Sequence, residues 1–170
     1  MKLKPLHIAI GAIVAFVIYK TFKNSPVTAN PDVATNCKQW RALVEKYAPM
    51  FGLPVAFVMG DIAVESGGKP DAVSSSDARG LMQILPSTLP DINEMLNAQY
   101  QVSDLFNPEI NIRCACAYWA WVIAFEKGNM SLAIRAYNQG VGNIQKDATL
   151  GTDYLNKVTA YWNYFLGAQQ

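Results

Sequence analysis

The stretch from Asn107 to Gly128 constrains this chain more than any other. Asn107-Pro108-Glu109 is a helix start: a capping amide, a ring that presets φ, then an acid in the first turn. The residues after it are apolar on nearly every face, with Ile110, Ile112, Ala115, Tyr118, Trp119, Val122 and Phe125 spread around the axis before Lys127-Gly128 ends the run. A helix without a polar face has to be surrounded, so this one is expected to be the buried centre of the domain.

Helical spacing continues on both sides of it. One helix is predicted over Asn36–Tyr47, with Trp40, Leu43, Val44 and Tyr47 on one stripe. A second starts at Pro54 and runs to Ser66, where Gly67-Gly68 stops it. Residues 67–80 read as a polar loop and a short helix follows Ser87. Two more helices are predicted, over Ser131–Gln139 and Thr152–Leu166. No apolar–polar alternation of the β type persists, so the expected class is all-α. A length of 170 residues allows one such domain and a small appendage.

The appendage is the N-terminus. Leu6 to Tyr19 is apolar apart from His7, and residues 5–22 would span about 27 Å as a helix, near the ~30 Å hydrocarbon core of a bilayer. Residues 1–24 are read as a single transmembrane anchor, with His7 at headgroup level. The alternative is a cleaved export signal, with Val27-Thr28-Ala29 as its small-residue cleavage site. Lysines flank both ends, so the charge pattern does not orient the segment. Residues 25–35, with Pro26 and Pro31, read as an extended tether, and residues 36–170 as the folded domain.

Charge follows the same division. The net charge is +1, but residues 1–24 hold four lysines and no acid, which leaves residues 25–170 at −3. A mildly acidic body offers no footprint for a phosphate backbone, which excludes nucleic acid as a partner. Cys37, Cys114 and Cys116 make no metal motif, since the body has no histidine to complete one, and no cofactor is expected. One disulfide from Cys37 to Cys114 or Cys116 and three buried thiols are both open.

Glu65 is the most informative carboxylate. It ends an apolar helix, where the partial negative charge of the helix terminus and the apolar neighbours both disfavour its ionised form. Asp61, one turn back, adds like-charge repulsion if it faces the same way. All three effects raise the pKa, as suits a general acid near neutral pH.

Five segments, in order, resemble the motifs of the soluble-type lytic transglycosylases: Glu65-Ser66, Gly80-Leu81-Met82-Gln83, Asp104 to Ile112, Ala136-Tyr137-Asn138-Gln139-Gly140, and Tyr154-Leu155-Asn156-Lys157-Val158. The resemblance covers roughly residues 36–166. It implies the lysozyme-like all-α fold, with a cleft for the glycan strands of peptidoglycan and Glu65 as the single catalytic acid and base. Ser66 would sit beside Glu65, and Gln83 and the backbone of Gly80, Leu81 and Met82 would line the cleft. Tyr137 and Asn138 would meet the sugar near the scissile bond, and Tyr154 would position Glu65. The sequence departs from the family pattern at Gly67-Gly68, where a bulky residue is usual, at Gln139, where a small one is commoner, and at Asp61, usually apolar.

The implied reaction breaks the bond between N-acetylmuramic acid and N-acetylglucosamine and closes a 1,6-anhydro ring without water. One carboxyl then suffices, whereas ordinary glycosidases place two on opposite sides of the sugar. Asp61, one turn from Glu65, cannot supply the opposite side. Asp71 and Asp77 in the adjoining loop are the acids that would make the protein a goose-type-like hydrolase instead. A catalytically inactive peptidoglycan-binding module and a membrane structural protein are the readings from other classes. The expected setting is local wall opening, with the domain held at a membrane on the periplasmic side or in a virion membrane, or exported after signal cleavage. An envelope-spanning secretion or conjugation machine, or a virion, would supply the partners.

Overall fold

The computed structural model describes residues 27–168; the apolar segment 5–22, and the anchor or signal read there, lie outside the described residues. Among the described residues no single helix is long and apolar enough to cross a membrane. The chain order is α1 (Pro31–Cys37), α2 (Arg41–Tyr47), α3 (Val55–Glu65), α4 (Leu89–Leu96), α5 (Pro108–Phe125), α6 (Met130–Gln139), α7 (Val141–Lys146) and α8 (Thr152–Gly167). Short 3-10 turns lie at Lys38–Trp40, Ala48–Phe51 and Val102–Phe106. The only β-type pairings among the described residues are isolated bridges of Arg79 with Val73 and with Ile84. The class is all-α, as expected.

The central helix is α5. The Asn107 side chain accepts from Glu109 N–H and Ile110 N–H. Ile112, Cys114, Ala115, Cys116, Trp119 and Val122 are fully buried along its length. Helix α3 is equally enclosed, with Phe57, Val58 and Ile62 buried. Phe57 meets Trp119 of α5 edge-on at 4.8 Å and Trp162 of α8 at 5.0 Å, so one ring joins three helices.

Helices α3 and α8 run antiparallel in close contact: Gly60 lies against Trp162, while Glu65 at the end of α3 meets Tyr154 at the start of α8. The approach at Gly60 leaves no room for a side chain, since a Cβ there would lie 2.8 Å from the backbone nitrogen of Trp162.

The loop before α4 is fastened by one side chain. Asn111, fully buried on α5, accepts from Met82 N–H at 2.9 Å and donates to the carbonyls of Arg79 (3.0 Å) and Leu105 (2.8 Å). Gly80 sits under this amide with φ of +79°, and a Cβ would come within 2.4 Å of Asn111 Nδ2. Only glycine meets both demands.

Three expectations are corrected. Residues 31–35, read as extended tether, are helical. Asn30 caps Asp32 N–H and Val33 N–H and Pro31 stands at the first helical position, the same three-step signal as at Asn107. The helix read over 36–47 is interrupted by the 3-10 turn at Lys38–Trp40, from which the Trp40 indole donates to Gly68 O at 2.9 Å. Helix α7 is additional: Gly140, which follows the end of the helix predicted over Ser131–Gln139, has φ of +84° and both ends α6 and caps α7. Of the two cysteine alternatives, the structure has the free thiols. Cys37, Cys114 and Cys116 are all buried and unbridged, and burial pushes the Cys37 thiol up to about 11.

Replacing Asn111 with alanine would orphan Met82 N–H and Leu105 O at about 1–3 kcal/mol each, while Arg79 O keeps its bond from Ile84 N–H. Asn111→Ala is therefore expected to lower the unfolding free energy by about 2 kcal/mol or more, seen as a lower urea midpoint at unchanged slope.

Candidate active site

Glu65 stands at the last turn of α3 and opens into a cleft of about 740 Å³. Its walls are Ala63 and Val64 from α3, Asn138 and Gln139 from α6, and Gly151 to Tyr154, Lys157 and Tyr161 from the start of α8. A second hollow of about 260 Å³ includes Gln83, Leu85, Tyr118, Tyr137 and Gly140, and shares Asn138 and Gln139 with the first. The two therefore lie on either side of the end of α6, as successive parts of one groove would.

Behind Glu65 the polar groups are chained. Tyr154 O–H lies 2.5 Å from Glu65 Oε1 and 2.7 Å from Asp61 Oδ1. Asp61 is fully buried and accepts from Trp119 Nε1–H at 2.8 Å. Trp119 stacks on Tyr137 with the rings nearly parallel and 4.0 Å apart, and Tyr137 O–H donates to Met82 O at 2.9 Å. An unbroken line of contacts thus runs from the Glu65 carboxyl into the loop that Asn111 holds.

Burial raises the Glu65 carboxyl to about 8, with the charge of Asp61 adding to the effect and the Tyr154 hydrogen bond opposing it. Burial likewise raises Asp61, against the stabilising donations of Trp119 and Tyr154. Asp61 therefore does face Glu65, the condition left open by the spacing alone.

The other predicted site residues divide into two groups. Tyr154, Asn138, Tyr137 and Gln83 come together around the groove. Gln83 turns its amide inward, donating to Ala72 O (3.2 Å) and Gly80 O (2.9 Å) from a backbone with φ of +47°. Ser66 is half-buried and closes the helix end, its hydroxyl donating to Ile62 O and accepting from Gly68 N–H. Gly80, Leu81 and Met82 are buried, and both the N–H and the C=O of Met82 are already engaged. The side chains of Leu81 and Met82 belong to the core beneath the groove. Asp71 and Asp77 are exposed, and neither is among the residues lining the Glu65 cleft. Asp77 pairs with Arg79 at 3.0 Å. The acid that does line the cleft with Glu65 is Asp153, which, with Lys157 and Tyr161, sequence reasoning did not assign. Their i, i+4, i+8 spacing from α8 was the available signal, since it puts all three on one helical face.

An all-α body built round one buried helix, with an acid at the end of the helix that packs against it, belongs to the lysozyme-like class. Within that class the chain belongs to the transglycosylase SLT domain family, whose model matches residues 42–157. It is 36% identical over 122 residues to the endo-type membrane-bound lytic murein transglycosylase A of Klebsiella pneumoniae, covering 69% of this chain and 59% of that protein. With the Cronobacter sakazakii protein of the same name it shares 41% over 101 residues, 57% of this chain and 49% of that one. The chain thus spans between about half and three-fifths of these relatives' length. Among solved structures, an inactive mutant of the lytic transglycosylase Slt from Pseudomonas aeruginosa superposes with a TM-score of 0.70 at 26% identity, over 76% of this chain and 24% of that one. The 70 kDa soluble lytic transglycosylase of Escherichia coli superposes with a TM-score of 0.67 at 25% identity, over 74% of this chain and 24% of that one.

The raised Glu65 has a consequence for stability. Between its ordinary value of 4.5 and its folded value of about 8 the folded chain binds more protons than the unfolded one, so stability falls as pH rises through that window. The melting temperature is expected to fall from pH 5 to pH 8, more shallowly in Glu65→Gln; equal slopes in the two proteins would contradict the raised value.

Proposed function

We propose that this chain is a peptidoglycan lytic transglycosylase that cleaves the β-1,4 bond between N-acetylmuramic acid and N-acetylglucosamine and leaves a 1,6-anhydromuramoyl end. The observation that carries this reading is the position of Glu65. It is a half-buried carboxyl with a raised pKa, facing an open groove, with its nearest acid neighbour behind it in the core and not across the cleft. Membership of the family and relatives named lytic murein transglycosylases support it.

Glu65 is protonated near neutral pH and gives its proton to the leaving glycosidic oxygen. The substrate's own N-acetyl group meets the positive charge that develops on the muramic ring. Glu65, now ionised, takes the proton of the muramic 6-hydroxyl, whose oxygen closes onto the anomeric carbon. One residue serves as acid and then as base, so a pKa near working pH suits both halves. The nucleophile belongs to the substrate, so its proximity needs no second protein carboxylate. Asn138, Tyr137 and Gln83 line the groove on either side as candidate sugar contacts, Ser66 closes the helix end beside Glu65, and Tyr154 orients Glu65.

A second reading, hydrolysis of the same bond, has one observation in its favour: Asp153 lines the cleft and would be the acid to activate water. The biological role we infer is local opening of the wall by a domain held to a membrane through residues 5–22, and the relatives above are named as membrane-bound.

Digestion of purified peptidoglycan followed by mass analysis separates these readings. Anhydro-ended fragments are expected. Reducing ends that vanish in Asp153→Asn would establish the hydrolase, and no release the binding module. Glu65→Gln is expected to lose at least about a hundredfold in rate, the usual scale for a positioned general acid.

A further inference from the structure

Asp61 is a carboxylate in the middle of the core. No ion pair among the described residues involves it, and an isolated charge at such a site is costly. Its surroundings make a donor count possible. On the Asp61 side, Trp119 Nε1–H supplies one proton. The remaining contacts are Asp61 Oδ1 to Tyr154 Oη at 2.7 Å and Tyr154 Oη to Glu65 Oε1 at 2.5 Å. Each contact needs a proton between its oxygens, yet the tyrosine hydroxyl has one. The second proton has to sit on a carboxyl.

We propose that Asp61 is a positioning residue that holds one carboxyl proton in common with Glu65 through the Tyr154 hydroxyl, and that this sharing sets how far into the alkaline range Glu65 stays an acid. In one arrangement Glu65 carries the proton and donates to Tyr154, which donates to the Asp61 carboxylate. In the other Asp61 carries it and donates to Tyr154, which donates to the Glu65 carboxylate. A shift of one proton across each contact converts the first into the second with no change of charge.

For catalysis the inference rests on Glu65 being the acid of the reaction proposed above; the shared proton itself does not. When Glu65 gives its proton to the leaving oxygen, two carboxylates remain with the single tyrosine proton between them. Glu65 is then a strong base for the 6-hydroxyl proton, and taking that proton restores the starting state.

The other titratable groups leave the pair undisturbed. Tyr137 of α6 has its proton committed to Met82 O. Cys116 of α5 is held protonated by burial. Tyr154 of α8 is likewise pushed far above the ordinary tyrosine range. Asp153 and Lys157 of α8 line the cleft in front of Glu65.

Asp61→Asn is the informative variant. Its carbonyl still accepts from Trp119, and its amide can donate to Tyr154, which frees the tyrosine proton for the Glu65 carboxylate. Packing is kept while the like charge and the shared proton are lost, and both changes favour ionised Glu65. The alkaline limb of the kcat/KM–pH profile is expected to move down by about one pH unit or more, with little change on the acid side. A limb that stays in place in the folded variant would overturn the inference.

Carboxyl ¹³C NMR titration of the wild-type protein reads the same sharing without any assay. Asp61 and Glu65 are expected to follow the same two macroscopic steps, whereas two independent single-step curves would overturn the sharing. This measurement stands if Asp61→Asn fails to fold. It also stands if the protein cleaves nothing, so its failure is distinct from failure of the proposed activity.

Discussion

The missing side chain at Gly60 is the constraint on which the rest of the site depends. Because nothing projects there, the backbones of α3 and α8 can come into contact beside Trp162. That contact fixes how far the end of α3 lies from the start of α8, and so brings Glu65 against Tyr154 and Asp61 against the same hydroxyl. Any larger residue would separate the helices and spoil a geometry in which tenths of an ångström decide whether a proton can be shared.

The groove's other wall depends on α5 instead. Asn111 ties the loop around Gly80 to the buried helix, and Met82 receives the Tyr137 hydroxyl from α6. The same Tyr137 stacks on Trp119, which reaches Asp61. The Glu65 carboxyl and the loop around Gly80 are thus connected through one continuous set of buried contacts, and neither can shift far without the other. The buried residues of that loop, Gly80 and Met82 among them, shape the groove from beneath.

The fold was legible wherever a segment carried both a start signal and a long apolar run, as at Asn107–Phe125 and Pro54–Glu65. Asn30-Pro31-Asp32 repeats the start signal of the central helix but opens a helix of seven residues among polar neighbours, so its composition pointed to a tether. The turn at Gly140 reads as an ending because glycine ends helices; that it also begins one depends on packing of Ile144, which spacing does not reveal. In the site, Glu65 was visible from its placement on an apolar helix. Asp61's connection was not, because its partners stand 58 and 93 positions away. Leu81 and Met82 show the converse: motif membership placed them near the chemistry without telling which side of the wall they occupy.

One hydrogen bond at the edge of the cleft bears on how the domain is presented to its surroundings. Asn30, immediately before α1, donates its backbone N–H to the Tyr161 hydroxyl at 3.2 Å, and Tyr161 lines the Glu65 cleft. The segment that leads into α1 is therefore tied at the rim of the groove and not on the far side of the domain. On the function proposed above, a strand lying in the groove would run past this entry segment, so the two compete for the same edge of the cleft.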